Sequence, residues 1–219
     1  MTPARGRGTG RRYSGLDAEE RVRVRRAAIL EAALDLFGTV GYPATSVKQI
    51  CDTAGLTERY FYESFRDRKA ALAGVYGLLV TEVREATQSA IGTADGDLEA
   101  RIRAGLTAFV GYLTDDPRRA RVVLIEVVGI SPELEEVRHA VLRGFGEVIC
   151  AVWSTQSGFD ATTEPARLTA LSLSGAVNNL LVDWMMTGQQ QDPRVLIEVS
   201  TMLFVSALAG LRTHLHQGK

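Results

Sequence analysis

Residues 44–69 read ATSVKQICDTAGLTERYFYESFRDRK, and this stretch decides the fold of the N-terminal third of the chain. Its apolar residues recur at helical spacing in two short segments on either side of Gly55. Ser46 and Gln49 form a capping-box pair, which predicts that the first helix begins near Ser46. Gly55 suits the left-handed conformation in which a helix ends, and Thr57 is placed to cap a second helix. The pattern predicts two helices joined by a tight turn, a helix-turn-helix.

The second of these helices carries unusual side chains on its outer face. Phe61 and Phe65, four residues apart, are predicted to point inward. Arg59, Tyr60 and Tyr62 then lie on the exposed face, where they can reach phosphates or base edges of DNA. An ordinary helical hairpin is the alternative, but a hairpin that only builds a core would carry acids and lysines there. The side chains favour a DNA-reading helix.

Two segments of the chain resemble the TetR family of bacterial transcriptional regulators. One is GLTERYFYESF, residues 55–65, followed by Arg68. The family pattern there is a glycine turn, a small hydroxyl residue, an aromatic or apolar pair ending in Tyr, a Phe, and then a basic residue that opens the next helix. The other is AAILEAALDLFGTVGY, residues 27–42, which is similar to the family's first helix and the Gly-Tyr turn after it. The similarity extends from residue 22 to about residue 76.

Two positions depart from the family pattern. Arg68 stands where Lys is usual, and an Arg can meet a phosphate with two parallel hydrogen bonds. Tyr60 is bulkier than the residue expected there, which bears on sequence preference. The side-chain pattern and the resemblance together predict that the following residues contact double-stranded DNA: Tyr42, Thr45, Ser46, Lys48, Thr57, Glu58, Arg59, Tyr60, Tyr62, Ser64 and Arg68.

The net charge of −1 conceals a basic N-terminal part. Residues 1–69 contain 13 Lys and Arg against 9 Asp and Glu, whereas residues 70–219 contain 12 against 17. Because phosphate contacts supply most of the non-specific affinity for DNA, the first part is the expected docking surface. Residues 1–20 are predicted to form a flexible basic arm. This arm is either a solvated segment or a segment that lays Arg7, Arg11 and Arg12 into the minor groove.

The sequence gives no support for an enzyme, a cofactor or a metal site. It lacks the nucleophile-elbow and zinc-protease motifs, and the glycines at 6–10 are not followed by the Lys-Ser/Thr of a phosphate loop. Cys51 and Cys150 are interpreted as small core residues, with a redox-sensing pair as the alternative. No signal peptide and no uninterrupted run of about eighteen apolar residues are present, so a cytoplasmic location without membrane contact is expected.

The remainder of the chain is predicted to be entirely helical. Helical patterns separated by Gly, Pro and Asp cover about 68–90, 97–113, 117–128, 132–155, 164–187 and 193–213. The predicted fold class is all-α, with an N-terminal three-helix DNA-binding domain that contains the helix-turn-helix and a larger C-terminal helical domain for ligand binding and dimerisation. The predicted boundaries are 1–20 for the arm, 21–67 for the DNA-binding domain and 68–219 for the C-terminal domain.

The last two helical patterns are apolar nearly all round, so each must be covered on every side. One side can pack on the core, and the other is predicted to pack against a second copy in a four-helix interface. A buried hairpin in a monomer is the alternative. The resemblance implies the same homodimer, since TetR-like regulators dimerise through their last two long helices. Two recognition helices about 34 Å apart would then fit a near-palindromic operator.

The resemblance also implies a repressor that releases its operator when a small-molecule effector binds in the C-terminal domain and moves the helix that begins at Arg68. The sequence does not identify this effector. Candidate pocket residues are polar or aromatic side chains within apolar helical stretches, where an unpaired amide is costly. They are Tyr76, Phe109, Tyr112, Phe145, Trp153, Asn178, Asn179 and Trp184.

Two other classes of function remain open at this point. An all-α small-molecule-binding protein or enzyme that merely retains a helical hairpin would show no salt-dependent affinity for DNA. An interaction protein that uses its apolar terminal helices would bind a different partner in place of a second copy.

Overall fold

The computed structural model describes residues 18–156 and 159–217, which form helices joined by turns and contain no strand. The all-α prediction is therefore confirmed, and the helices after Arg68 begin and end within a few residues of their predicted bounds, except that the third of them is divided. The predicted basic arm, including Arg7, Arg11 and Arg12, lies almost wholly outside the described residues. In chain order the helices are α1 (Ala18–Thr39), α2 (Val47–Ala54), α3 (Glu58–Ser64), α4 (Arg68–Thr93), α5 (Leu98–Thr114), α6 (Pro117–Arg121), α7 (Pro132–Trp153), α8 (Glu164–Met186) and α9 (Pro193–Gln217).

The helix-turn-helix is built as its sequence predicts, with one exception. The hydroxyl of Ser46 accepts the backbone N–H of Gln49 at 3.2 Å, and the side chain of Gln49 accepts the N–H of Ser46 at 2.8 Å. Gly55 ends α2 with φ of 65°, the left-handed conformation that favours glycine. Thr57 precedes α3, but its side chain makes no capping hydrogen bond, so that part of the prediction is wrong.

Two hydrophobic cores divide the molecule, and α4 contributes to the first. Helices α1–α3 (the head, residues 18–67) pack around Ile29, Phe37, Ile50 and Phe61, and the first half of α4 completes this core with side chains such as Leu72, which is 0% exposed. The other core lies within the body (residues 68–217) and joins α5, α7, α8 and α9. Helix α4 therefore completes the core of the head before it continues into the body.

Helix α6 does not continue as a regular helix. Its last turn opens into a π-helical turn, Val122–Glu126, where the sequence pattern predicts one continuous helix over 117–128. Such turns are rare in regular helices and commonly occur at functional positions. In this protein the wide turn places the carboxylate of Glu126 against the end of α1, where it accepts the backbone N–H of Tyr42 at 2.7 Å.

Helix α9 is long and apolar enough over Pro193–Thr213 to cross a membrane, by length and composition alone. The sequence criterion does not detect it because Glu198 interrupts the apolar run. A single helix of this kind is weak evidence for a membrane span, since core helices of soluble proteins pass the same test. Leu196, Phe204 and Leu208 of α9 are buried in the body core.

Gly38 lies where α1 meets α6, and a Cβ atom there would lie 2.4 Å from Cβ and 2.8 Å from Cα of Arg118. Because backbone must move to relieve this contact, we expect Gly38→Ala to lower the free energy of unfolding by about 1–3 kcal/mol in a urea titration. Gly77→Ala is the matched control, since nothing lies within 4 Å of its Cβ position in α4. That change should be neutral or stabilise by up to about 1 kcal/mol. Equal unfolding free energies for the two variants would contradict the close packing of α1 on α6.

Candidate nucleic-acid interface and effector pocket

Several of the predicted DNA-contacting side chains lie on one exposed surface of the helix-turn-helix. The side chains of Lys48 and Arg59 are 75% and 84% exposed, and Tyr62 is 55% exposed. Lys48 pairs with Asp52 at 3.0 Å and Arg59 with Glu63 at 3.2 Å. Exposed pairs of this kind contribute little to stability, so a phosphate or a base edge can take over the cation at small cost. Thr57 and Glu58 are exposed at the start of α3 on the same surface.

Two arginines of α1 hold the recognition helix α3 in place. The guanidinium of Arg25 stacks on the ring of Tyr60, with 4.3 Å between its Cζ and the ring centroid. Arg26 stacks in the same way on Phe65 at 4.2 Å and donates a hydrogen bond to the carbonyl of Ser64 at 3.0 Å. The sequence pattern predicts that Tyr60 and Ser64 are exposed, but these contacts leave both residues half-buried. The sequence offers no local signal for these contacts, because they join residues more than thirty positions apart.

The turn between α1 and α2 is held by the next helix along the chain. Arg68, at the start of α4, lies over the ring of Tyr42 with 4.1 Å from its Cζ to the ring centroid. The same guanidinium donates hydrogen bonds to the carbonyl oxygens of Thr45 and, at 3.5 Å, Pro43. The hydroxyl of Thr45 donates to the carbonyl of Gly41 at 2.8 Å, and this residue is only 1% exposed. The predicted DNA contact through the Thr45 side chain is therefore wrong in this conformation, because the turn buries it.

A second polar contact links the body to the head through α6. Oε1 of Glu126 accepts Nε of Arg121 at 2.8 Å, and Oε2 accepts the backbone N–H of Tyr42. Arg121 also donates to the carbonyl of Thr39 at 2.6 Å, so it holds the last residue of α1. Glu126 is 9% exposed. A buried carboxylate is tolerated because it accepts both a charged and a backbone donor.

Arg118 makes the neighbouring contact between α6 and α1. Its guanidinium pairs with Asp116 at 2.8 Å and with Asp35 of α1 at 3.0 Å. The hydrogen bonds from Arg118 hold the pKa of the Asp116 carboxyl below its usual value. We call Arg118, Arg121 and Glu126 the clamp, because together they fasten α6 and its π-helical turn to the end of α1.

An apolar cavity of about 70 Å³ lies inside the body. Phe109, Phe145 and Trp153, three of the predicted pocket residues, are part of its wall. The phenyl rings of the first two meet edge to face with centroids 5.0 Å apart. The other lining residues were not predicted, because all but Phe204 are aliphatic or small and the pattern of all of them only indicates a core: Thr87, Ile91, Ile102, Gly105, Leu106, Val148, Ile149, Val152, Ser174, Val177 and Phe204.

The remaining predicted pocket residues are divided between a second cavity and sites elsewhere. Tyr76 and Asn178 line an adjoining cavity of about 40 Å³, which shares Phe109 and Phe145 with the first. Burial raises the pKa of Tyr76 to about 12, so it stays a neutral phenol. The sequence pattern therefore identifies five of the cavity-lining positions by their polar or aromatic character.

Three predicted pocket residues lie outside both cavities. The hydroxyl of Tyr112 donates to Glu82 at 2.5 Å, Asn179 is exposed, and Trp184 donates from Nε1 to the carbonyl of Gln191 at 3.0 Å. Their polar atoms do not need a ligand, because Tyr112 and Trp184 have protein partners and Asn179 faces solvent. They are excluded from the proposed effector site.

The two cysteines belong to different cores. Cys51 is buried in the head and Cys150 packs half-buried against the body core. Burial raises the pKa of both thiols, which lowers the fraction of reactive thiolate. Their surroundings suit small core residues.

Comparisons with known proteins agree with this arrangement. Residues 29–74 match the family model described as bacterial regulatory proteins, tetR family. The HTH-type transcriptional regulator EthR of Mycolicibacterium smegmatis is 23% identical over 191 residues, which cover 85% of this chain and 87% of EthR. The HTH-type transcriptional activator FasR of the same organism is 25% identical over 166 residues, which cover 76% of this chain and 73% of FasR. A solved structure of the transcriptional regulator FadR from Bacillus subtilis in complex with stearoyl-CoA shares the fold with a TM-score of 0.72 at 19% identity, and the match covers 83% of this chain and 98% of that one.

The exposed helix-turn-helix and these similarities define a DNA-binding transcriptional regulator with a helical C-terminal domain. The match over α1–α4 covers the whole helix-turn-helix, including the capping box and the glycine turn. Residues 29–74, which contain the helix-turn-helix, match the TetR family of bacterial regulatory proteins.

Glu126→Gln should loosen the clamp, because the neutral amide cannot hold both the Arg121 cation and the Tyr42 N–H as strongly. We expect the free energy of unfolding to fall by about 1–3 kcal/mol. Faster hydrogen exchange at the Tyr42 amide, followed by mass spectrometry or NMR, should accompany this loss. Glu99→Gln, which breaks only the exposed pair with Arg103, should stay within about 0.5 kcal/mol. Unchanged exchange at Tyr42 would show that the clamp does not hold the turn.

Proposed function

We propose that this regulator is a cytoplasmic homodimeric repressor that binds a near-palindromic operator in double-stranded DNA and releases it when a small-molecule effector enters the body cavity. The observation that carries this proposal is the double role of α4. Leu72 and Val75 lie in the core of the head, whereas Thr87 and Ile91 of the same helix line the cavity. Any change of the cavity wall on this side therefore acts on an element that is part of the head.

The small size of the cavity indicates that its wall must move before an effector can bind. Ligand sites commonly have volumes of about 300–1,000 Å³, so a volume of about 70 Å³ is too small for a typical effector unless the walls separate. Ile91 lies about 28 Å along the helix axis from Leu72. An effector that binds more tightly to a widened cavity would favour a displaced α4, and thereby a different position of the head.

The clamp provides a second connection between the two parts. It joins α6 to the end of α1, so the head is held by the body at α4 and at the clamp. A displacement of α4 relative to α6 would turn the head, because its two attachments would no longer move together. This is the structural basis that we propose for release of DNA.

For DNA contacts we propose the exposed surface of α2 and α3, within a DNA-binding domain of residues 21–67 and a C-terminal domain of residues 68–219. Arg59 is placed to read base edges from the middle of α3, and Lys48 and Tyr62 to contact phosphates. Arg25, Arg26 and Arg68 have the different role of holding the recognition helix and the preceding turn.

For the dimer we propose an interface formed by α8 and α9. Apolar side chains remain exposed on one face of each helix, although the opposite faces are buried in the body core. An apolar surface of this extent usually marks an interface, and two helices from each copy would form a four-helix packing. The exposed residues are Leu168, Leu171 and Met186 on α8, and Val195, Val199, Met202 and Leu203 on α9.

For the effector we propose a molecule with an apolar chain, because the cavity wall is almost entirely aliphatic and aromatic. The relative FadR, whose structure contains stearoyl-CoA, supports this class of ligand. The relative FasR is described as an activator, so the direction of regulation needs its own measurement. A reporter gene under the chain's operator should rise on deletion of the regulator if it represses, and fall if it activates.

Arg59→Ala should reduce the preference for the operator over random duplex. The loss of a base contact should lower the binding free energy by about 1–3 kcal/mol on the operator only. Lys48→Ala should instead lower the affinity for the operator and for random duplex by similar factors, and it should reduce the salt dependence of binding. Both are measured by fluorescence anisotropy against a duplex from the upstream region and a random duplex. Equal losses on both duplexes for Arg59→Ala would contradict base reading, and no preference of the unaltered protein for any genomic fragment over random DNA would contradict the regulator proposal.

Met202→Glu should dissociate the dimer, because it places a charge on a side chain that is 59% exposed in one copy but would be covered in the dimer. Sedimentation velocity should show a monomer, with loss of tight operator binding. Val137→Glu is the matched control, since Val137 is 46% exposed and lies on α7, which is not part of the proposed interface. A monomeric unaltered protein, or a dimeric Met202→Glu variant, would contradict the interface.

A further inference from the structure

A groove of about 220 Å³ on the surface of the body leads to the cavity. It lies between the end of α4, the start of α5 and α7. Ile91, Val148 and Val152 line both the groove and the cavity, so the two spaces share a wall of aliphatic side chains. The groove is therefore the natural entrance, and a flexible chain that passes these three residues would reach the cavity interior.

The groove contains a positive charge that no described carboxylate neutralises. Arg101 of α5 is part of its wall, and its Nε is buried without an acceptor among the described protein atoms. By contrast, Arg103 on the same helix is paired with Glu99 at 2.9 Å. The other residues that line the groove carry no charge: Gln88, Ile91, Gly92, Val148, Ala151, Val152 and Thr155.

A second arginine lies close to the same entrance. Arg84 is one helical turn before Gln88 on α4, and its buried Nε also has no acceptor among the described protein atoms. Its guanidinium lies against α7 at Gly144 and 5.6 Å from the ring centroid of Phe145, a residue of the cavity wall. A partly buried guanidinium without an anionic partner is costly, so two of them beside one opening favour an anionic ligand group.

The cavity interior has the opposite character. Its wall is apolar except for a few atoms, among them Nε1 of Trp153, a fully buried donor without an acceptor among the residues that the structure describes. The site thus changes from a cationic groove to an apolar interior over the length of one ligand. Such a gradient matches a molecule with a charged head and a linear apolar tail.

We propose that the effector is an amphipathic anion whose head binds Arg101 in the groove and whose chain passes Ile91 and Val152 into the cavity beside Trp153. This inference rests on the proposed effector role of the cavity. A carboxylate and a phosphate head share the chemistry that Arg101 recognises, since either accepts two hydrogen bonds from a guanidinium. Arg84, one helical turn before Gln88 on α4, adds a second positive charge near the groove.

The test measures binding of three ligands that differ only in the head: dodecanoate, dodecyl phosphate and the neutral 1-dodecanol. Trp184→Phe leaves Trp153 as the single tryptophan, because the chain has two, so its fluorescence reports entry into the cavity. Titrations are made below the micelle concentration, and operator release is followed in the same samples by anisotropy. Melting curves confirm that each variant is folded.

We expect at least one anion to bind more tightly than 1-dodecanol. In Arg101→Gln its affinity should fall on the order of tenfold to a hundredfold, the effect of losing a charged hydrogen bond, whereas the affinity for 1-dodecanol should not change. Arg101→Lys should restore part of the loss, and Arg103→Gln should behave as the unaltered protein. The preferred head, carboxylate or phosphate, identifies the source of the anion.

Three outcomes separate the inference from the proposed function. If 1-dodecanol binds as tightly as both anions, or if Arg101→Gln leaves the affinity for both anions unchanged, the anionic head is refuted while an apolar effector remains supported. If no amphiphile changes the Trp153 fluorescence, both ideas fail. If an anion binds through Arg101 but the operator complex persists at saturation, the ligand class holds and the release mechanism is refuted.

Discussion

Helix α4 belongs to two structures at once, and the rest of the molecule depends on this constraint. Its first half completes the core of the head, where Leu72 and Leu79 are almost fully buried, and its second half forms a wall of the body cavity. A continuous hydrogen-bonded helix of 26 residues transmits a displacement at one end to the other, since close-packed cores do not absorb it locally. The head cannot keep both its core and its position if the cavity wall moves.

In the proposed mechanism, the clamp determines how the head moves when α4 is displaced. Without it, a moving α4 would carry the head along as a rigid attachment. Glu126 and Arg121 hold the end of α1 to the body on another side, through hydrogen bonds to the backbone of Tyr42 and Thr39. In the proposed mechanism, the π-helical turn that presents Glu126 is part of the connection between effector and DNA. Arg25 and Arg26 hold α3 against α1 within the head, so in the proposed mechanism the head turns as a unit.

The features that could be predicted from the sequence are those whose causes are local. The capping box of Ser46 and Gln49 and the left-handed turn at Gly55 each depend on residues within a few positions, and the structure contains both. The inward direction of Phe61 follows from helical periodicity alone. The all-α class and the helix bounds follow from the same periodicity and from Gly, Pro and Asp breaks.

The features that could not be predicted depend on partners distant in sequence. Thr45 has the position of a DNA contact, but the turn buries it under Arg68. Asn179 and Trp184 share the pattern of pocket residues with Asn178, and only the packing of α8 decides which of them meets a cavity. The carboxylate of Glu126 bonds a residue 84 positions earlier, which no periodicity reveals.

The most direct test of the role of α4 needs no effector. Gly105 lines the cavity on α5, and a Cβ atom there would lie 2.8 Å from Cγ1 of Ile91 on α4. Gly105→Val should therefore press on Ile91 and displace α4 as an effector would. We expect a folded dimer with operator affinity reduced at least tenfold in an anisotropy titration, on the order of 1.4 kcal/mol. Gly111→Val on the same helix, where only Asp115 approaches to 3.9 Å, should bind the operator normally. A folded Gly105→Val protein with unchanged operator affinity would contradict the coupling through α4.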